Sequence, residues 1–161
     1  MVDLIYQPIG VIHSPLTSRE GIPIQGGLAP EVQGRVEIFP EYEDGLLDLE
    51  DFSHIILLYH FHLSKGYKLQ AMPFIEDVEH GVFAIRAPRR PNPIGMSVVR
   101  LERREGRFLH VAELDILNQT PLLDIKPYVP AFDHRSEVHC GWLEKHLASG
   151  KVKTHSDSRF K

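Results

Sequence analysis

The chain has 161 residues, 42% of them hydrophobic and 25% charged, which fits one globular domain with a single core. Its net charge of −4 predicts no nucleic-acid or membrane partner from bulk charge alone, and nothing in it resembles a signal peptide or a membrane-spanning segment. Its single cysteine, Cys140, excludes an intramolecular disulfide and a zinc site built on several cysteines, and favours a cytoplasmic location.

The first half of the chain predicts strands separated by proline and glycine. A strand is expected over 4–13, interrupted by a proline, and then a long loop over 14–30, a kind of loop that is usually functional or disordered. A short strand follows over 34–39. The acids and leucines of 40–52 predict a short helix or turn, and the apolar run in 55–62 predicts a strand buried on both faces.

The second half predicts further strands and a single helix. Strands are expected over 82–86, 96–104, 108–116 and 122–129, with a hairpin turn at Glu105–Gly106. A helix is expected over 137–148, closed by Gly150, and a polar tail over 151–161. Six or seven strands with little helix indicate a closed barrel or a sandwich, and they argue against a doubly wound α/β fold.

The basic residues are unevenly distributed. Seven of the eighteen lysines and arginines lie between Arg86 and Arg107, and all seven are arginines. An anionic partner would be drawn to them if the fold gathers them on one face; otherwise they are solvated arginines at strand edges. No phosphate-binding loop, dinucleotide fingerprint or serine nucleophile elbow is present, which removes several common enzyme classes.

The segment from Arg86 to Gly95 (RAPRRPNPIG) is the most unusual part of the sequence. Its three prolines forbid a helix and stiffen the backbone. Arg86, Arg89 and Arg90 are therefore presented at fixed positions, which suits recognition of a carboxylate or phosphate. Gly95 permits a close backbone approach or a positive φ. The alternative is a rigid surface turn.

Other polar residues leave several interpretations open. His60 and His62 are predicted to share one face of a strand, where they form a hydrogen-bonded core pair, a polar pocket wall, or a metal site together with His54 or His80. The turn 117–121 offers hydrogen bonds to a ligand, or is only a turn. Asp115, Asp124 and Lys126 are candidates for ordinary ion pairs between neighbouring strands.

Four strings together resemble the TsaA-like family, the family of tRNA methyltransferase O. They are PIGVIHSP (8–15), DFSHIILLYHFH (51–62), GVFAIRAPRRPNPIGMSVV (81–99) and TPLLDIKPYVP (120–130). The RPNPIG and LDIKPY elements are specific in combination, and their order and spacing match. The resemblance covers about 5–133.

This resemblance implies a mostly-β, single-sheeted closed barrel with few short helices over 1–135, followed by a C-terminal helix and tail over 136–161. It implies a homodimer that binds S-adenosylmethionine near the subunit interface. The implied reaction is methylation of the exocyclic nitrogen of threonylcarbamoyl-adenosine, next to the anticodon of tRNA. No membrane association or metal is implied.

The resemblance also carries over site residues. The implied cofactor contacts are Pro23, Ile24, Gln25, His62, Leu63, Arg86, Val98, Asn118, Gln119, Thr120 and Pro121. Arg89, Arg90 and Lys126 are the expected RNA-binding residues, since arginine and lysine bind phosphate. Asp124 is our candidate for accepting the proton that the methylated nitrogen releases, directly or through water.

The chain departs from the family's pattern in three places. Many members have Asp-Gly where this chain has Asn118–Gln119, and an arginine where it has Ile24. Some bacterial members carry a further small C-terminal domain, and because this sequence ends at Lys161 we expect any tRNA contacts of that domain to be absent. Two other functions therefore stay open: a non-catalytic barrel that binds RNA or a nucleotide, and a histidine-dependent metalloenzyme.

Overall fold

The computed structural model describes residues 2–150 and 154–158. Six strands close into one barrel in the order β1-β2-β7-β6-β3-β8, and every pairing is antiparallel. This confirms the predicted mostly-β, single-sheeted closed barrel. The barrel strands are β1 (Gly10–His13), β2 (Gln33–Ile38), β3 (His54–His60), β6 (Ile94–Glu105), β7 (Phe108–Ala112) and β8 (Thr120–Pro127).

The remaining elements are short and lie outside the barrel wall. Strands β4 (Gln70–Ala71) and β5 (His80–Gly81) form a separate two-stranded sheet. The α-helices are α1 (Pro130–Asp133) and α2 (Glu144–Ser149), and 3-10 helices lie at Gly26–Leu28, Pro40–Leu46, Leu49–Asp51, Val82–Ala84 and Gly141–Leu143. Within residues 2–150 and 154–158, every helix is too short or too polar to cross a lipid bilayer.

Strand β3 shows how the barrel interior is built. Ile55, Leu57 and Tyr59 point inward and are buried, whereas Ile56 and Leu58 between them are only half-buried. The prediction that this strand is buried on both faces is therefore wrong. Inward and outward residues alternate as in an ordinary strand, and the sequence does not show this because the outward residues are apolar too. The barrel core consists of these three residues with Ile12, Val36, Ile38, Val99, Leu101, Leu109, Val111 and Leu122, among others.

Three predicted elements differ from the structure. The first strand begins only at Gly10, and residues 2–7 are exposed, since the proline at position 8 has no N–H for the strand ladder and these residues have no barrel neighbour. The predicted strand 82–86 is a 3-10 helix, because β5 ends at Gly81 and the chain then leaves its only partner. The predicted helix 137–148 is interrupted by Gly141 at a φ of +56°, so α2 begins at Glu144.

Other boundaries agree more closely. The β6–β7 hairpin is confirmed: Glu105 pairs with Phe108 around a two-residue turn in which Gly106 has a φ of +57°. The 40–52 segment, predicted as a short helix or turn, forms two short 3-10 helices. Strand β7 stops at Ala112, earlier than expected, because Glu113 adopts a φ of +66° and turns the chain off the ladder.

The C-terminal segment is held by a cluster around Glu76. Trp142 stacks on His80 with 4.4 Å between ring centroids, and its indole N–H donates to the Ala84 carbonyl at 2.9 Å. Glu76 is 8% exposed and accepts from Lys145 at 2.5 Å, from His80 at 2.6 Å and from His146 at 2.8 Å. These hydrogen bonds, that of Lys145 first, lower the pKa of Glu76 to about 2.

The described end of the chain then runs along the long N-terminal loop. The Ile24 amide donates to the Thr154 carbonyl at 2.8 Å, and the Ser156 amide donates to the Ile22 carbonyl at 2.8 Å. Pro23 and His155 form an antiparallel bridge. The predicted polar tail thus pairs with the loop over 154–156, while 151–153 and 159–161 lie outside the described residues.

We expect Glu76→Gln to loosen α2 from the body of the protein. Because the pKa of Glu76 is lowered, its ionised form stabilises the fold above its ordinary value of 4.5, and that contribution is lost as the pH falls from there towards 2. Trp142 is the only tryptophan, so its fluorescence reports the packing directly. Its emission should shift to the red in the variant at neutral pH, and in the wild type only at acidic pH.

The exposed neighbour Glu79 provides a matched control for this substitution. Glu79→Gln should leave the emission maximum and its pH dependence unchanged. An emission spectrum of Glu76→Gln identical to that of the wild type across the same pH range would contradict the role assigned to Glu76.

Candidate functional site

A cavity of about 690 Å³ lies at the end of the barrel where β3 ends and β6 and β8 begin. Its walls are mostly apolar, and they come from loops that are distant in sequence. The lining segments are 22–25, 61–64, 73–75, 83–90, 94–96 and 115–117, with Arg19, Tyr59, Thr120, Trp142, Leu143, Ser156 and Asp157. Its size is within the range of small-molecule sites.

Asp115 lies at the inner end of this cavity, directly after the β7 ladder. Its Oδ1 accepts from Ser97 Oγ at 2.5 Å, and its Oδ2 accepts from the Gly26 amide at 3.1 Å. Ser97 is buried on β6 and lies 3.0 Å from the Tyr59 hydroxyl of β3. Since Ser97 donates to Asp115, Tyr59 donates to Ser97, and the chain of hydrogen bonds ends on the carboxylate.

Burial raises the pKa of Asp115 to about 6, against the hydrogen bonds from Ser97 and Gly26 and the nearby charge of Arg86, which lower it. Burial likewise raises the pKa of Tyr59, so its phenol stays protonated. The sequence interpretation treated Asp115 as an ordinary ion-pair candidate and did not include it in the site. The sequence feature that could have indicated a role in the site is the position of this acid at a strand end, next to the polar turn 117–121.

Two glycines permit the close approaches that shape this region. A Cβ on Gly26 would lie 1.8 Å from the Glu113 carbonyl oxygen, so only glycine lets the loop reach Asp115. A Cβ on Gly95 would lie 2.2 Å from the Tyr59 ring. The expected close approach at Gly95 is therefore present, and no positive φ occurs there.

The long N-terminal loop and the proline-rich loop meet across the cavity. Arg86 is exposed, and its Nη1 donates to Gln25 Oε1 at 2.8 Å, while Gln25 Nε2 donates to the Ile24 carbonyl at 2.7 Å. One wall of the cavity is thus formed jointly by Arg86 and by residues from a distant part of the sequence, Pro23, Ile24 and Gln25. The guanidinium faces the cavity and can donate hydrogen bonds to a carboxylate.

The other two arginines of the proline-rich loop also line the cavity. Arg90 Nη1 donates to the carbonyls of Ile85 at 3.1 Å and Ala87 at 3.3 Å, so it braces its own loop. On the opposite side, Ser64 Oγ donates to the Pro88 carbonyl at 3.0 Å. The segment is non-helical, as its prolines predict.

His62 and Leu63 line the cavity, but His60 does not. His60 is the exposed last residue of β3, and His62 lies in the following turn, 3.4 Å from the Thr120 hydroxyl. Burial, with positive charge from His60 and Arg19, lowers the pKa of His62, which is therefore neutral at pH 7. Within the described residues, no group of three histidine, cysteine or acidic side chains is placed to hold a metal ion.

Several residues implied by the resemblance lie outside the cavity lining. Asn118 Oδ1 accepts from the Ser14 amide at 3.0 Å, and Gln119 Nε2 contacts His13 at 3.1 Å, so both side chains point towards β1. Gln119 has a φ of +64°, a region that favours glycine, at the position where many family members have one. Val98 and Pro121 are half-buried on strands, and of the four turn residues 118–121 only Thr120 lines the cavity.

Asp124 and Lys126 lie on β8, away from the cavity lining. They pair with each other at 2.8 Å, and their side chains are 44% and 60% exposed. The two residues thus form an ordinary surface ion pair, as the sequence suggested. The pair joins two residues of one strand, however, and not residues of neighbouring strands.

The arginines of β6 and of the β6–β7 turn do not form an open basic face. Four of the seven predicted to attract an anion are paired with glutamates, two of which, Glu37 and Glu50, come from β2 and from the 3-10 helix at Leu49–Asp51. The cationic groups that face the cavity are instead those of the loops, Arg86 among them. The paired arginines are Arg100 with Glu102 and Glu113, Arg103 with Glu105, Arg104 with Glu50 and Arg107 with Glu37.

The cavity therefore combines three chemical properties. Phe61, Phe74 and Phe83 provide flat apolar walls, Arg86 provides a cation at the rim, and Asp115 provides an anion at the inner end. This arrangement suits a ligand that has a planar apolar part and carries groups of both charges.

Comparisons with known proteins bear on what such a ligand is. The chain is 54% identical over 157 residues to the probable S-adenosyl-L-methionine-binding protein of Pyrococcus abyssi, a match covering 98% of this chain and 85% of that protein. It is 35% identical over 144 residues to human tRNA (adenine(37)-N6)-methyltransferase, covering 84% of this chain and 32% of that protein. The crystal structure of TrmO from Pseudomonas aeruginosa has a TM-score of 0.75 and 39% identity, covering 88% of this chain and 63% of that one.

The chain thus spans most of the Pyrococcus relative, less than two thirds of the Pseudomonas structure and about a third of the human enzyme. Residues 11–134 match the family model described as the tRNA-methyltransferase O N-terminal domain. The resemblance inferred from the sequence is confirmed: this chain belongs to the tRNA-methyltransferase O N-terminal domain family.

Proposed function

We propose that this protein is an S-adenosylmethionine-dependent tRNA methyltransferase that methylates the exocyclic nitrogen of threonylcarbamoyl-adenosine next to the anticodon. The observation that carries the proposal is the cavity, which sets an apolar pocket between Arg86 and Asp115 in a chain of this family. A tRNA substrate places the reaction in the cytoplasm, without a membrane.

The cavity residues fit the cofactor's chemistry. S-adenosylmethionine has a flat adenine, a carboxylate, an amine and a sulfonium that supplies an electrophilic methyl group. Arg86 binds the carboxylate, since a guanidinium pairs with a carboxylate through two parallel hydrogen bonds. Gln25 positions Arg86, and Pro23, Ile24, His62, Leu63 and Thr120 complete the binding surface. The neutral state of His62 adds no repulsion towards a cationic ligand.

The acceptor nucleoside enters from the side of the proline-rich loop. An unpaired anticodon-loop base is accessible without breaking a helix. Arg89 lies at the cavity and contacts the tRNA backbone or the threonyl carboxylate, and Arg90 keeps the loop in shape. Lys126 provides a further basic group for the tRNA on the outer face of β8.

We also propose that two copies associate through an apolar strip on the outside of β3 and β6. The strip consists of Ile56, Leu58, Ile94, Met96 and Val98, which face outward; Ile56 pairs with Val98 and Leu58 with Met96 across the two strands. Ile94 and Met96 are 42% and 49% exposed, and both also line the cavity rim. A dimer through this strip brings Val98 close to the partner copy, as expected for a cofactor site near the interface.

The decisive test is mass spectrometry of the nucleosides of tRNA after incubation with the protein and isotope-labelled S-adenosylmethionine. We expect label in methylated threonylcarbamoyl-adenosine and none in tRNA that lacks the threonylcarbamoyl group. Tight tRNA binding without any label in a nucleoside would instead support the non-catalytic barrel. Label in unmodified adenosine would retain the methyltransferase and change its substrate.

Arg86→Ala should weaken binding of S-adenosylmethionine about tenfold or more, because a charge-assisted hydrogen bond contributes about 1.5–3 kcal/mol. Calorimetry on the purified protein measures the affinity. Arg103→Ala is the control, since Arg103 pairs with Glu105 on β6 away from the cavity. Equal affinities for Arg86→Ala and the wild type would remove Arg86 from the site.

Leu58→Glu should convert a dimer into monomers, because it places a charge at the centre of the apolar strip. Light scattering during gel filtration gives the mass of each species, and calorimetry shows whether cofactor affinity falls with it. Leu47→Glu, at a residue that is 76% exposed and not part of the strip, should remain dimeric. A wild-type protein that runs as a monomer at high concentration would contradict the dimer.

A further inference from the structure

We infer that Asp115 is the group that takes up the proton released by the acceptor nitrogen during methyl transfer. This inference rests on the proposed function, because it requires a nitrogen that is methylated in the cavity. Asp115 is partly open to the cavity, and it is held in place by Ser97 of β6 and by the Gly26 amide of the long N-terminal loop.

Its position distinguishes Asp115 from the other carboxylates considered. Asp124, the candidate chosen from sequence, is outside the cavity lining and pairs with Lys126 at 2.8 Å. Asp157 lines the cavity, but it belongs to the C-terminal segment. Only Asp115, among the described carboxylates of the cavity, is anchored on the barrel itself, with one oxygen bound by Ser97 and the other by the Gly26 amide.

The chemistry requires a proton acceptor. The lone pair of an exocyclic adenine nitrogen is delocalised, and more so when the nitrogen also bears a carbonyl, so it is a weak nucleophile while it keeps its proton. In the transfer, the sulfur–methyl bond breaks with its electron pair remaining on sulfur, and a nitrogen–methyl bond forms. The N–H proton passes to the Asp115 carboxylate, which becomes a carboxylic acid and later releases the proton to water.

The surroundings of Asp115 suit this role. Burial raises its pKa to about 6, so it is ionised at pH 7 and still basic enough to accept a proton. The titratable or charged groups that line the same cavity are Tyr59 on β3, His62 after β3, Arg19 on the N-terminal loop, Asp157 in the C-terminal segment, and Arg86, Arg89 and Arg90 on the proline-rich loop. Burial keeps Tyr59 protonated and lowers the pKa of His62.

The test is the pH dependence of single-turnover methylation by the full chain, with saturating S-adenosylmethionine and tRNA, from about pH 5 to about pH 9. The wild-type rate should fall about tenfold per pH unit on the acid side, where Asp115 becomes protonated. Asp115→Asn should be about 10²- to 10⁴-fold slower and should lose this acid limb. Its affinity for S-adenosylmethionine should fall by about tenfold at most, since the substitution removes one charge that faces the cationic ligand and leaves Arg86 and the apolar walls in place.

Asparagine keeps the shape of the side chain, so this variant should fold. Its amide oxygen can accept from the Gly26 amide, and its NH₂ can donate to Ser97 Oγ, since a hydroxyl both donates and accepts. Asp48→Asn is the control for the loss of a carboxylate, because Asp48 is exposed and remote from the cavity. It should retain the wild-type rate and profile.

Ser97→Ala supplies a second readout that a merely structural carboxylate would not give. The hydrogen bond from Ser97 lowers the pKa of Asp115, so its removal should move the acid limb to higher pH. A limb caused by His62 would not respond to Ser97, because the serine hydroxyl is bonded to Asp115 and Tyr59.

Several outcomes would overturn the assignment. They are an Asp115→Asn variant with the wild-type acid limb, an acid limb lost in Asp124→Asn or Asp157→Asn instead, and a limb that stays in place in Ser97→Ala. Loss of cofactor binding in Asp115→Asn would make Asp115 a binding residue and also overturn it. A wild-type protein that methylates no tRNA nucleoside would defeat the proposed function itself, and this is measured first.

Discussion

A carboxylate held away from bulk water constrains the whole open end of this barrel. An ionised group loses much of its hydration when it is buried, so it persists only where hydrogen bonds replace the lost water. At Asp115 these bonds come from Ser97 on β6 and from the backbone at Gly26, and Tyr59 on β3 supports Ser97. The same contacts join two strands and a long loop, so the shape of the inner end of the cavity follows from the need to satisfy one carboxylate.

The distribution of ion pairs determines which positive charges face the cavity. On the outer wall, glutamates of β2, β6 and the 3-10 helix at Leu49–Asp51 neutralise the arginines of β6 and of the β6–β7 turn at short range. Exposed pairs of this kind add little stability, but they cancel a field that would otherwise attract anions to the wrong surface. The proline-rich loop therefore supplies positive charge to the cavity, with Arg86 at the cavity rim.

Much of the barrel was predictable because its strands carry local signals. The β6–β7 hairpin follows from a glycine between two alternating segments, and the stiff loop follows from its prolines. The 82–86 segment was predicted wrongly because a short apolar run looks the same whether or not a partner strand exists. The two-face burial expected for β3 was wrong for a related reason, since Ile56 and Leu58 are apolar on the outside of the barrel.

The site was harder to predict than the barrel, since its parts meet only through contacts between distant segments. The resemblance placed Gln25, His62 and Arg86 in one site, and the structure brings them to one cavity. Asp115 was interpreted as an ordinary ion-pair residue because an acid at a strand end next to a polar turn fits a surface pair as well as a buried site; its burial depends on β3 and β6.

The role of the C-terminal segment in the cavity was even harder to predict from the sequence. The family model ends at residue 134, yet Trp142 and Ser156 form part of the cavity wall. Trp142 is fixed by His80 and Ala84, and Glu76 binds Lys145 and His146 of α2 as well as His80 of β5. A boundary drawn after 135 would therefore separate the barrel from one of its own cavity walls. Because this wall lies beyond the matched family region, differences in ligand access among relatives are expected to arise here, while Asp115 and Arg86 lie within the matched barrel.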